Sequence, residues 1–444
     1  MKVPQRPVDP RILLLSLEAF FGSMFVILTR GLVVLFLLSA GLSMRDIFFL
    51  NCIAGFFSLI LLSMVYRAIR TGPVKNRLII VNLGERITWF TISLVSGYFP
   101  LLVVLYSLGW MHAFLTGIYL NILLYSCFTN REYSRLIGYR NALGAVASIF
   151  SQILSIVILA IIGGGTGYRI LYVIGFLSGL ASTLLIVFSP LRGEATRRRR
   201  VEEEVEVRAT TMYILALLML TSMSLLNLAW IPRLRYVLEA PDYVIVAVTM
   251  VSSLSVMGFS LVWSRLGIGR RYVVAFALMV LAPILISAAQ YIPLHFIIAV
   301  IYGVSVSGVN IFIGSIYGSI SRHMGTIKTA TLLASINSTV LLLTGLIGLL
   351  VVEPGLLLYI SSILTGAGLL YSLIVIHETA VIRPDYVRLY SRIIYNASLA
   401  SYNYTVILST RMLKIALTLL ALLTIIGTLF IIYRILYYLY ILTH

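Results

Sequence analysis

The sequence predicts an all-α membrane protein: two six-helix bundles (6+6) related by a pseudo-twofold axis, followed by a thirteenth, C-terminal transmembrane helix. Three observations predict it. Thirteen apolar segments, most of about 20 residues or longer, fill the 444-residue chain, and about 20 apolar residues are enough to cross a bilayer as a helix. Arginine and lysine collect in every second gap between these segments, as they do in loops that stay in the cytoplasm. Related basic turns containing glycine recur at equivalent places in the two halves.

Composition supports this class. The chain is 60% hydrophobic and 11% charged, with a mean hydropathy of +1.04, too little polar surface for a soluble protein of this size. The net charge of +18 raises the idea of a nucleic-acid partner. Because that charge is spread over short loops and forms no compact basic module, no nucleic acid is expected. Cys52 and Cys127 both sit in apolar segments, so neither a disulfide framework, a metal site nor a cofactor is indicated. The first residues run into a long apolar stretch without a small-residue cleavage site, so the first span is expected to be uncleaved.

Each span is bounded by its gaps. Span one, 12–40, follows Lys2, Arg6 and Arg11, and span two is 47–65. Arg67, Arg70, Lys75 and Arg77 separate span two from span three, 78–99; span four is 101–127. Arg131, Arg135 and Arg140 belong to the basic turn that opens span five, 137–162, and the glycine run 163–167 is a turn before span six, 170–188. Spans seven to twelve are 212–231, 244–262, 272–289, 297–320, 330–352 and 355–376. Their basic gaps hold Arg265, Arg270 and Arg271, then Arg322 and Lys328. Span thirteen, 415–433, follows Arg383, Arg388, Arg392, Arg411 and Lys414. The alternate gaps hold only Arg45, Arg169, Arg233 and Arg235. The expected location is therefore the plasma membrane, with a cytoplasmic N-terminus and an extracytoplasmic C-terminus.

Four regions follow: a six-helix half (1–190), a charged cytoplasmic linker (191–210), a second half (211–377) and an extension (378–444). The linker's run from Arg197 to Arg208 is nearly balanced in charge and reads as a solvated tether with some helix. In the extension, 384–399 has the spacing of an interfacial amphipathic helix, and span thirteen ends in a tyrosine-rich belt of the kind found at membrane interfaces.

The 6+6 pattern, the charged central loop and the basic turns after spans two and eight resemble the major facilitator superfamily over about residues 12–377. Gly269, Arg270 and Arg271 resemble the end of that family's cytoplasmic loop motif; Gly72, Lys75 and Arg77 match it less well. The motif's aspartate is missing from both turns, so the family's usual loop salt bridge is not carried over. Span five also lacks the glycine–proline pattern of the family's antiporters. The resemblance implies a parallel repeat of six helices rocking around a central site. In that arrangement spans 1, 2, 4, 5, 7, 8, 10 and 11 line the cavity.

Polar groups inside the membrane are costly and are functional candidates by default. Arg30, His112, Gln152, Asn227, Asn310 and Asn337 lie in the expected cavity-lining spans, and the transporter reading expects them around one cavity. The planar guanidinium of Arg30 suits a carboxylate or phosphate; an arginine that snorkels or bonds helix carbonyls is the competing reading. His112 reads as a substrate or proton ligand, or as a hydrogen bond between helices. The amides also serve to join membrane helices. Glu18, Glu85 and Arg86 share a depth of about 10 Å from the cytoplasmic end at the helical rise. They read either as a proton-coupling or gating group or as an ion pair joining spans one and three.

No catalytic constellation emerges, so the chain is not expected to be an enzyme. The expected function is a secondary active transporter of a small, anionic solute, with Glu18 or Glu85 coupling protons. The expected partners are that solute, protons and membrane lipids; oligomeric state is not legible. An efflux carrier for drugs or metabolites, a lipid-processing protein and a non-transporting scaffold are the alternatives.

Overall fold

The computed structural model describes residues 10–69, 72–128, 130–191, 194–195, 203–265, 272–324 and 326–375. Span thirteen, the segment 384–399 and the loop residues Gly269, Arg270 and Arg271 lie outside these residues. The described chain is helical throughout, apart from one two-residue ladder.

Span one is two helices, α1 (Pro10–Leu28) and α2 (Val33–Ser39). Then follow α3 (Met44–Ala68), α4 (Lys75–Val95), α5 (Phe99–Cys127), α6 (Asn130–Ile161) and α7 (Gly164–Phe188). The later helices are α8 (Glu203–Pro232), α9 (Asp242–Arg265), α10 (Tyr272–Ala288), α11 (Ile292–Met324), α12 (Thr326–Leu350) and α13 (Pro354–Val375). A π-helical segment, Arg233–Val237, extends α8 beyond Pro232. Among the described residues, 11 helical segments are long and apolar enough to cross a membrane, and α10 is a shorter apolar helix.

Each apolar stretch expected between 12 and 376 coincides with a helical segment, but several helices outrun it. Helix α6 starts at Asn130 and therefore contains Arg140 well inside its length. Helix α8 starts at Glu203, so the end of the charged linker is helical. Local signals set other ends. Ser43 caps α3 in a capping box with Asp46, which satisfies orphan N–H groups at the helix start. Pro100 sits in the first turn of α5, where its missing N–H costs nothing. Gly72–Pro73 (β1) pairs antiparallel with Glu194–Ala195 (β2), tying the loop between α3 and α4 to the linker.

Packing follows two sets. Helices α1 to α7 pack among themselves: α1 lies on α6 and α7, and α4 on α5 and α7. Helices α8 to α13 do likewise, with α8 on α13 and α9 on α11. The sets meet most extensively along α3 with α12 and along α6 with α9. The first of these contacts is close because of glycine. A Cβ at Gly345 would lie 2.4 Å from the backbone nitrogen of Cys52. Small residues let membrane helices approach in this way, since lipid supplies no hydrophobic drive between them.

The outer faces carry large exposed apolar side chains such as Ile80, Leu177 and Ile363, a surface suited to hydrocarbon rather than water. Aromatic side chains fill the interior, among them Trp89, Tyr106 and Tyr172.

Candidate functional site

Span one breaks at Thr29–Leu32, and the break positions Arg30. The Thr29 hydroxyl bonds back to Phe25 O at 2.7 Å, Gly31 N reaches Val26 O at 2.8 Å, and Leu32 N reaches Thr29 O at 3.2 Å. A Cβ at Gly31 would sit 2.7 Å from Ile27 O, so only glycine fits this tightened turn. The break is not expected from the sequence, because apolar residues continue on both sides of it and the run reads as one span. It carries the Arg30 guanidinium to 5.7 Å from the Trp110 ring centre on α5.

A cavity of about 330 Å³ opens beside Arg30. Helix α5 contributes Trp110, Phe114 and Asn121; α8 contributes Ser224; α12 contributes Asn337 and Ala334. The cavity therefore lies between the two helix sets. Trp110 and Phe114, one turn apart on α5, stack with centres 5.5 Å apart at 28° and form the aromatic part of the wall.

Behind this wall lies a charged cluster. Arg30 Nη2 is 3.5 Å from Glu85 Oε1, and Arg86 Nη1 is 3.2 Å from Glu85 Oε2. Arg86 also lies over the Phe25 ring, 4.0 Å from its centre, a favourable cation–π contact. Two guanidiniums against one carboxylate leave one net positive charge. The Arg30–Glu85 pair is loose: both Arg30 Nε and Glu85 Oε1 are buried without a hydrogen-bond partner. A buried ion pair without good hydrogen bonds does not recover its desolvation cost. The Arg30 side chain is 21% exposed, against 2% for Glu85, so the cluster presents its guanidinium to the cavity.

Glu18 pairs elsewhere. Its partner is Arg140 of α6, which also donates to Leu15 O at 2.7 Å. Ser182 of α7 donates to Glu18 Oε1 at 3.2 Å. Arg140, expected with the basic loop before span five, lies in the interior because α6 is long, and it takes Glu18 away from the expected group with Arg86.

The remaining candidates separate. Asn337 lines the cavity with Arg30. His112 instead faces α4: its Nδ1 is 3.5 Å from the Thr88 hydroxyl, and the ring packs on Gly84. Gln152 donates to Ser253 Oγ at 3.0 Å across the α6–α9 contact. Asn227 accepts from the Tyr302 hydroxyl at 3.3 Å. Asn310 is exposed and outside the cavity lining. Of the lining residues, the sequence singles out Arg30 and Asn337 alone. Asn121 had a legible signal, as an amide within span four seven residues after Phe114. Trp110 and Ser224 had none, because such residues abound in membrane helices. Among the described residues, no group of three or more His, Cys, Asp or Glu could hold a metal ion.

No protein-family model matches the sequence, and the search of curated proteins gives no match. Solved structures do match. A bacterial homologue of the iron transporter ferroportin, in its inward-facing state, aligns with TM-score 0.62 at 12% identity, over 82% of this chain and 98% of that one. The nucleoside transporter NupG aligns with TM-score 0.56 at 14% identity, over 81% and 98%. The human organic anion transporter MFSD10 (TETRAN) aligns with TM-score 0.56 at 10% identity, over 82% and 100%. These are major-facilitator-type transporters. The chain has the major facilitator fold. At these identities the likeness lies in helix arrangement rather than in shared side chains. The side chains that line the cavity between the helix sets are this chain's own.

Proposed function

We propose that this protein is a secondary transporter that moves a small organic anion across the membrane by alternating access. The observation that carries the reading is Arg30: a guanidinium presented to a cavity between the two helix sets and held only loosely by Glu85. An anion entering the cavity would meet the exposed part of the Arg30 guanidinium, and charge-assisted hydrogen bonds of this kind are the strong ones. Trp110 and Phe114 form the apolar wall, and Asn121, Ser224 and Asn337 supply polar contacts.

A 6+6 pseudo-twofold arrangement is supported by the contacts between the sets. Such an axis exchanges span two with eight and span five with eleven. The α3–α12 contact, spans two and eleven, then maps onto the α6–α9 contact. Rocking would open one end while the other stays closed. With a cytoplasmic N-terminus, the outer end is held closed by Tyr168 of α7 and Arg235 after α8, both of which contact the Asp242 carboxylate on α9.

Glu85 is our candidate for proton coupling. It faces Arg30 from the α1–α2 turn and Arg86 on its own helix, with His112 of α5 one turn away. An anion that takes over Arg30 would leave Glu85 with Arg86 as its remaining ion-pair partner, and a proton would take the place of the lost one. Anion and proton would then cross together.

The ferroportin homologue is named for iron, but the net positive cluster and the lack of a carboxylate among the described lining residues disfavour a metal cation. A nucleoside is the second reading, favoured by the aromatic wall and the amides. Proteoliposomes separate the two. Naphthalene-2-sulfonate, a strong acid that stays ionised, should enter saturably in wild type and fail to enter with Arg30→Ala. Saturable uptake of uridine, with no uptake of the sulfonate, would replace the anion reading by the nucleoside one.

A further inference from the structure

We infer that the substrate is a flat, aromatic monoanion carrying a second hydrogen-bonding group far from its charge; this rests on the organic-anion reading and narrows it. The geometry of α5 leads there. Trp110, Phe114 and Asn121 stand at spacings of four and seven residues, so they lie along one helix face. Arg30 meets this face at its Trp110 end. Asn121 lies about 10 Å farther along α5 than Phe114 at 1.5 Å per residue. The cavity is thus polarised along its length: a cation at one end, the stacked Trp110–Phe114 pair beyond it, and an amide at the other.

The opposite wall favours a thin ligand. Helix α12 offers the small side chains Ala330 and Ala334 toward the cavity, with Asn337 beside them. Aromatic side chains across from small residues make a slot, and an aromatic ring gains offset-stacked or edge-to-face contacts there that a puckered saturated ring does not. The volume of about 330 Å³ accommodates a fused two-ring acid. Among the described residues no carboxylate lines the cavity, so nothing repels the ligand's charge except the shielded Glu85. One exposed guanidinium matches one carboxylate or sulfonate; a dianion would leave its second charge in an apolar slot without a partner.

The experiment measures binding to the full-length purified protein by isothermal titration with four probes. They are 6-hydroxy-2-naphthoate, 2-naphthoate, the saturated decahydro-2-naphthoate, and neutral 2-naphthamide. Wild type should bind 2-naphthoate roughly tenfold more tightly than its saturated counterpart, the scale of an aromatic contact, and the 6-hydroxy compound more tightly again. Trp110→Leu keeps an apolar side chain and should erase the aromatic preference while retaining preference for acid over amide. Asn121→Leu should erase only the gain from the hydroxyl. Equal binding of the aromatic and saturated acids by wild type would overturn the inference and leave the anion reading intact. So would an aromatic preference that survives in Trp110→Leu. If the naphthamide binds as well as the naphthoate, the anion reading itself fails.

Discussion

The Tyr168 hydroxyl donates to Asp242 Oδ2 at 2.8 Å, joining the first turn of α7 to the first turn of α9. The same carboxylate accepts an ion pair from Arg235 at 3.2 Å, and Arg235 also donates to Leu35 O on α2 at 3.3 Å. One carboxylate and one guanidinium on the second helix set thus hold two elements of the first. Asp242 is also an acid in the first turn of its own helix, where the helix dipole favours it. Residues that bridge the sets at one end have to separate when that end opens.

Asp242→Asn should therefore shift the population toward a state open at this end. Hydrogen bonds to charged groups contribute about 1.5–3 kcal/mol, which corresponds to a shift of roughly tenfold or more in the closed-to-open ratio. Spin labels at Leu42 and Tyr243, in a background with Cys52 and Cys127 replaced by serine, report the distance between the sets by pulsed electron resonance. The Asn variant should add a longer distance that wild type lacks. An unchanged distance distribution would show that these contacts do not hold the end closed.

Glu18 and Arg140 make a different kind of prediction, because both belong to the first helix set. Removing one partner of a buried pair typically costs about 3–5 kcal/mol, whereas replacing both with apolar groups is often neutral. Glu18→Leu and Arg140→Met should each lower the melting temperature in detergent. The double variant should recover most of the loss, giving a large coupling in the double-mutant cycle. Additive losses would mean that each group acts through other contacts, such as the Leu15 carbonyl or the Ser182 hydroxyl.

The fold was largely legible in the sequence because its two strongest signals, apolar length and loop charge, are imposed by the bilayer rather than by tertiary contacts. Arg30 and Asn337 were legible as cavity candidates because a polar group inside a span needs a partner. That same rule could not separate them from Gln152 or Asn227. An amide finds its partner equally well in a neighbouring helix, and the choice depends on rotation about the helix axis. The ion-pair partners were illegible for a similar reason. Arg140 looked like a loop residue because α6 begins ten residues before it, in a polar stretch. The break at Gly31 depends on one missing Cβ, and its position in an apolar run gave no warning.

Gly345 tests the close contact between the sets. Its missing Cβ leaves room for the Cys52 backbone, and Gly345→Ala would drive a methyl group into atoms that have no flexible end to move aside. Overpacking of this kind costs about 1–3 kcal/mol. The alanine variant should melt at a lower temperature. Gly366→Ala on α13 is the control, since a Cβ there meets nothing within 4 Å. If the two variants melt alike, the α3–α12 contact is more yielding than its geometry indicates.

Glu85 gives the sharpest test of coupling. If an anion displaces Glu85 from Arg30 and Glu85 then takes a proton, binding and protonation are linked. Affinity for naphthalene-2-sulfonate, which does not itself titrate, should then rise as pH falls. The limit is one decade of Kd per pH unit for one proton taken up. Glu85→Gln carries the neutral group permanently. It should bind the sulfonate tightly with no pH dependence, and in proteoliposomes it should exchange sulfonate while failing to accumulate it against an imposed proton gradient. His112 contacts the same region of α4 and supplies the rival source of a titrating proton. His112→Gln should keep the pH slope if Glu85 carries the proton. A slope that disappears in His112→Gln and survives in Glu85→Gln would reassign the coupling to the imidazole.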